Sequence, residues 1–135
     1  MVHVTFGEKG AGNSKNIIEL ANGSLEETTG SVVFIDAEGQ YLFDLKHAIR
    51  FVDASQYRID TPQMFYGFLV GIASQDFDLQ RIYVDGIGKM VKAPLEDMEE
   101  MFQNISEFSE KSSIEIYIAV SGTGDMPGYL KKYTA

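Results

Sequence analysis

Apolar residues along this chain come in short blocks separated by glycine and acid. Residues 2–6 (VHVTF), 31–36 (SVVFID), 79–85 (LQRIYVD) and 114–120 (IEIYIAV) are runs of β-branched and aromatic side chains, and they predict strands. Their near-continuous apolar character predicts burial on both faces, as in a parallel sheet. Residues 49–52 make a marginal further strand, and 41–47 fit no pattern. Between the strands the period changes. Over 14–21, Ile17, Ile18, Leu20 and Ala21 form an inward helical stripe, with Asn22-Gly23 as the C-terminal cap. Thr61-Pro62 gives an N-cap and a first-turn proline for a helix over 62–74. That helix is apolar almost all round (Met64, Phe65, Tyr66, Phe68, Leu69, Val70, Ile72), so it is either covered on most sides or part of a subunit interface. Pro94 opens a longer helix to about residue 111, where Leu95, Met98, Met101, Phe102, Ile105 and Phe108 recur at three- and four-residue steps. Asp125 is expected to cap a short helix ending near residue 133.

Strands alternating with helices imply right-handed crossovers, a mainly parallel sheet of four or five strands, and helices on both faces. In such sheets ligands bind beyond the carboxyl ends of the strands. The loop at Gly7, the pair Asp36 and Glu38, Asp85, and Ser121 all fall there.

The loop carries the most chemistry. Gly7, Glu8, Lys9, Gly10, Ala11, Gly12, Asn13 and Ser14 fill the eight positions of a phosphate-binding loop, G-x-x-x-x-G-K-[ST], and seven of the eight fit. Backbone N–H groups of such a loop, at the start of a helix, make an anion site from partial charges. Ser14 stands where a hydroxyl ligand of Mg²⁺ belongs. The lysine that would place positive charge on the β- and γ-phosphates is Asn13, which can donate hydrogen bonds but has no charge. Lys9 and Lys15 are the nearest cations, and Lys15 would have to curl back. Asp85, ending an apolar strand, is the candidate for holding Mg²⁺ through water; strand-end aspartates also commonly cap turns. Glu38, with Asp36, could orient or deprotonate a water facing the γ-phosphate, or be a solvated turn acid. Ser121 to Thr123 read best as a turn. His3 and His47 are isolated and follow no metal-binding spacing. Met90, Met98 and Met101 read as core.

Composition narrows the partners. With 20 acidic and 11 basic side chains the net charge is −9, which argues against general binding to nucleic acid or anionic membrane. The absence of cysteine removes disulfides, thiol nucleophiles and thiolate metal sites. No apolar run is long enough to cross a bilayer, and residues 1–6 do not read as a signal. A single cytoplasmic domain over 1–135 is expected, with no membrane insertion.

Two resemblances add to this. The phrase FIDAE at 34–38 is similar to one in RecA-type ATPases, which implies the water-positioning role for Glu38. The whole chain resembles a family of small P-loop ATP-binding proteins of Firmicutes, particularly clostridia, often labelled twitching-motility PilT-like. The loop at 7–15, SVVFID at 31–36, residues 48–86 and the tail IAVSGTGDMPGYLKKY carry it. The family loop usually reads G-x-K-G-x-G-K-T-K. Gly7, Lys9, Gly10, Gly12 and Lys15 match it, Ser14 is conservative, and Asn13 departs. The resemblance implies a three-layer α/β/α P-loop NTPase-like fold and ATP binding with Mg²⁺.

Three functions compete. A pseudo-NTPase or weak ATP-binding module is favoured, because phosphoryl transfer uses the charge that Asn13 lacks and an anion site can survive without it. The alternatives are an active Mg²⁺-dependent ATPase and a ligand-free interaction domain, the latter favoured by the apolar helix and its suggestion of a homo-oligomer.

Overall fold

The computed structural model describes residues 1–8 and 12–134. The apolar runs pair into one sheet of five strands: β1 (Val2–Gly7), β2 (Ser31–Asp36), β3 (Ile49–Asp53), β4 (Leu79–Asp85) and β5 (Glu115–Ser121). Their order is β1-β5-β4-β2-β3, and every pairing is parallel. The marginal run at 49–52 is thus a true strand, the fifth, on the edge beside β2.

Four helices, α1 (Asn13–Ser24), α2 (Pro62–Ser74), the single turn α3 (Ile87–Met90) and α4 (Glu99–Ser112), cover the sheet. One face buries Val33, Ile35, Ile82, Val84, Ile116 and Ile118 against Phe65 and Leu69 of α2 and Phe102 and Ile105 of α4. The other buries Val32, Phe34, Tyr83 and Ala119 against Ile17, Ile18 and Ala21 of α1. Met90, Met98 and Met101 lie in the first core. The alternation of strand and helix fails only between β2 and β3, where a single 3-10 turn, Leu42–Asp44, lies in the connection. No helix among the described residues is long and apolar enough to cross a membrane.

One row of rings crosses the whole sheet. The register sets His3 of β1 beside Tyr117 of β5, Tyr117 beside Tyr83 of β4, Tyr83 beside Phe34 of β2, and Phe34 beside Phe51 of β3. Ring centroids lie 4.4 Å apart for His3–Tyr117, 4.7 Å for Tyr117–Tyr83 and 6.4 Å for Phe34–Phe51. Stacked aromatic neighbours add to the area they bury. Arg81 closes the row from outside, 5.9 Å over the Tyr117 ring, and pairs with Glu27 at 2.9 Å. His3, isolated in the sequence, also meets Glu115 Oε1 at 2.8 Å.

Local expectations hold at α2, where the Thr61 hydroxyl accepts the Met64 N–H at 3.1 Å and Pro62 opens the first turn. They fail at four places. Helix α1 runs through Gly23 to Ser24. The side chain of Asn22 is not free to end it: its amide donates to Asp44 O at 3.0 Å, and its oxygen accepts from Lys46 N at 2.9 Å. Leu20, expected in the inward stripe, faces solvent at 47% exposure, because Ile17, Ile18, Ala21 and Ser24 fill the buried face. Pro94 precedes a 3-10 turn, Leu95–Met98, and α4 proper begins at Glu99. Asp125 caps nothing; the tail forms a 3-10 helix, Gly128–Tyr133, entered from Pro127. Tyr129 and Tyr133 pack that tail on Phe102, and the Tyr129 hydroxyl donates to Leu95 O at 2.5 Å. Burial of this phenol pushes its pKa up to about 12.

The ends of β2 and β4 approach closely. Ala37 N donates to Asp85 O at 3.1 Å. Gly86, in the left-handed region at φ 85°, has room for no side chain: a Cβ there would lie 2.6 Å from the Ala37 methyl. Gly86→Ala should therefore destabilise the protein by about 2–4 kcal/mol, adding backbone strain to overpacking. Gly88→Ala, whose Cβ would meet nothing within 4 Å, should leave stability within about 1 kcal/mol. Urea denaturation of the two variants checks the contrast.

Candidate functional site

The carboxyl ends of the strands open on a cavity of about 870 Å³ bounded by α1, by the turn after β2 and by α3. The chain enters it from Gly7. Of the loop residues expected to bind phosphate, Lys9, Gly10 and Ala11 lie outside the described residues. Gly12 resumes the chain in the left-handed region at φ 81° and acts as N-cap of α1. Among the described residues no side chain caps this helix, and no acid lies in its first turn. Its first N–H groups thus have no described side-chain partner. The other long helices differ: Thr61 caps α2, and Glu99 and Glu100 stand in the first turn of α4. Gly12, Asn13, Ser14 and Lys15 all line the cavity.

The Asn13 side chain is already engaged within the protein. It donates to Ser121 Oγ at 3.1 Å and to Glu8 O at 3.4 Å. Its Oδ1 lies so close to Gly7 that a Cβ on that glycine would meet it at 2.5 Å. Gly122 N donates to Gly7 O at 3.1 Å, joining the ends of β1 and β5 a second time. Asn13 is thus a neutral cross-link between the loop and β5. Ser121, expected as a turn residue, closes the strand and accepts the amide.

The strand-end acids meet as expected, with Asp36 and Asp85 paired in register. Their environments differ. Asp36 is 3% exposed, and its carboxylate accepts three backbone N–H groups, from Glu38 at 3.2 Å, Gln40 at 3.1 Å and Tyr41 at 3.2 Å. These bonds hold the turn after β2. Asp85 is 7% exposed. Burial raises its pKa, helped by the nearby Asp36 charge, while the adjacent Ser14 hydroxyl, Lys89 and the Gly86 N–H act the other way. Glu38 is half-exposed, and its Oε1 meets Lys89 Nζ at 2.9 Å. Lys89 lines the cavity with Tyr41 and Gln40. Sequence reasoning missed it; the only signal was a lysine four residues past a strand-end acid, across two glycines.

The residues fit a phosphate ligand with a magnesium ion. Uncapped N–H groups offer a place for phosphate oxygens, and Ser14 with Asp85 offers a hydroxyl and a carboxylate. Among the described residues no group of three or more His, Asp or Glu is placed to hold a metal ion. A magnesium ion here would take few protein ligands and depend on water and phosphate for the rest, as that ion commonly does.

The raised pKa of Asp85 has a sign. Folding favours its protonated form, so its contribution to stability is full below the ordinary value of 3.8 and is lost as pH rises through the raised folded value. Above that value the buried carboxylate opposes folding. Asp85→Asn should raise Tm by a few degrees at pH 7, and the gain should vanish as pH falls below the wild-type value. Thermal melts from pH 3 to 8 read this directly.

No protein-family model matches the sequence, and no curated protein matches it. Among solved structures the chain is similar to the flagellar accessory protein FlaH from Methanocaldococcus jannaschii, with a TM-score of 0.60 and 14% identity. The similarity covers 98% of this chain and 66% of the FlaH chain, so this chain spans under two thirds of that protein. At such identity the likeness is one of fold. With the sheet order and the helices on both faces, it gives the chain a three-layer α/β/α, P-loop NTPase-like architecture.

Proposed function

We propose that this protein is a degenerate P-loop nucleotide-binding protein, a pseudo-NTPase or weak ATP-binding module related to the small P-loop proteins it resembles. The observation that carries the reading is the joint placement of the uncapped start of α1 and the Ser14–Asp85 pair on one cavity. The α1 N–H groups bind phosphate oxygens; Ser14 and Asp85 hold Mg²⁺, directly or through water. When bound, magnesium and nucleotide supply the divalent charge and the phosphate anion that these donors and acceptors match. Gly12 takes the left-handed turn that starts α1, a conformation in which a side chain is disfavoured. A cytoplasmic setting, where nucleotide is abundant, goes with this reading.

Two features favour binding over hydrolysis. Asn13 carries no charge to stabilise a transferring phosphoryl group, and its amide is already engaged by Ser121 and Glu8. Asp36 has its carboxylate oxygens committed to the turn, which leaves Glu38 as the acid able to face a water. Isothermal titration with ATP and ADP, with and without Mg²⁺, tests the reading. Weak, Mg²⁺-strengthened binding without phosphate release above background is expected, and Asn13→Lys should tighten it. Absence of heat with every nucleotide at high protein concentration would overturn it. Phosphate release that Asp85→Ala abolishes would move the protein to the active class.

A self-associating surface is also proposed, because α2 leaves apolar area uncovered. Met64 is 44% exposed and Tyr57 56%. On α2 itself, Gly67 and Gly71 face open space. Sedimentation should show a concentration-dependent dimer that Met64→Lys returns to monomer; a wild-type monomer at all concentrations would count against it.

A further inference from the structure

Among the described residues, the cavity that would take the nucleotide is lined by more acids than bases. Its described lining holds five acids, Glu19, Asp36, Glu38, Asp44 and Asp85, against two lysines, Lys15 and Lys89. A polyanion entering such a site meets repulsion unless cations face it. The two lysines are not equivalent. Lys15 is exposed on the first turn of α1. Lys89 is fixed at its backbone to the end of β4: α3 starts directly after Asp85 and Gly86, and Gly86 O accepts the Lys89 N–H at 2.9 Å. Its ammonium meets Glu38 Oε1 at 2.9 Å, and Asp85 and Tyr41 line the same cavity.

We infer that Lys89 supplies the positive charge missing at Asn13, leaving Glu38 for the phosphate oxygens when nucleotide binds. This rests on the nucleotide-binding reading above and adds to it the residue that answers the ligand's charge. The pair with Glu38, at 2.9 Å, joins side chains that are 55% and 46% exposed. Ion pairs so open to water contribute little and exchange readily. A phosphate group offers more charge and more acceptor oxygens than one carboxylate, so the ammonium gains by the exchange. The move also frees Glu38, which then faces the cavity without a partner. Loss of the loop lysine is thereby met from the opposite wall, by a side chain carried on the strand-end acid's own turn.

The exchange makes Glu38 a competitor of the ligand and Lys89 its partner, so substitutions at the two positions should act in opposite directions. A merely structural ion pair would predict the same effect from both. Titration of MgATP into the full chain decides this. Lys89→Gln should weaken binding by about tenfold or more, the scale of one charge-assisted hydrogen bond, and Lys89→Arg should recover most of it. Glu38→Gln should bind as tightly as wild type or tighter. Lys92→Gln removes the same charge from a lysine paired with Asp60 at 3.4 Å and should change affinity less than about twofold. Thermal melts of each variant confirm folding, which substitution of such an exposed pair should leave intact. Equal affinity of Lys89→Gln and wild type, or parallel weakening in Lys89→Gln and Glu38→Gln, overturns the inference while the nucleotide reading stands. Absence of any wild-type binding removes the nucleotide reading itself, and the inference with it.

Discussion

Register is the constraint on which everything else in this molecule depends. In a parallel sheet each strand can slide by one residue only by turning its buried side chains to the other face. Here both faces are covered, and a continuous row of rings from His3 to Phe51 marks one aligned level across all five strands. Two residues further along β2, β4 and β5 the same alternation brings Asp36, Asp85 and Ala119 to one level. Two more bring Ser121 of β5 beside Gly7 of β1. The arrangement of the candidate site at this end of the sheet is a consequence of how its apolar middle is packed.

That packing places acidic side chains where solvent is scarce. Asp36 is stabilised there by three backbone N–H groups and serves the turn it holds. Asp85 has no comparable set of donors among the described residues, and burial works against its charge. A carboxylate kept in an unfavourable place commonly marks a site where folding stability is given up for binding. Asn13 shows the reverse trade. An amide bonded to Ser121 and Glu8 has its donors satisfied without a ligand, whereas an ammonium there would bring a charge that a hydroxyl and a carbonyl do not neutralise.

Most of the architecture was legible because it is written in local pattern. Four apolar runs, three of them ending at glycine or acid, and Thr61-Pro62 before an apolar stretch, state their structure within a few residues. The convergence of Gly7, Asp36, Asp85 and Ser121 followed from the chain direction of a parallel sheet. What was not legible depends on partners far along the chain. Asn22-Gly23 has the composition of a helix end, yet Asn22 is recruited by Asp44 and Lys46 and the helix continues. The third strand is short and gains its place from pairing with β2. Lys89 reaches the cavity only because Gly86 adopts a left-handed turn against Ala37, a geometry that no spacing of residues announces.

The position of β1 has a mechanical meaning. Among the described residues it pairs with β5 alone and forms one border of the sheet, whereas the strands ending in Asp36 and Asp85 each lie between two neighbours. The strand that leads to the candidate loop therefore has one edge open to a further strand, whereas the strands that carry the two acids have none. An extended segment adding to the sheet beside β1 would lie next to one side of the candidate site and leave the pairing of the acid-bearing strands unchanged.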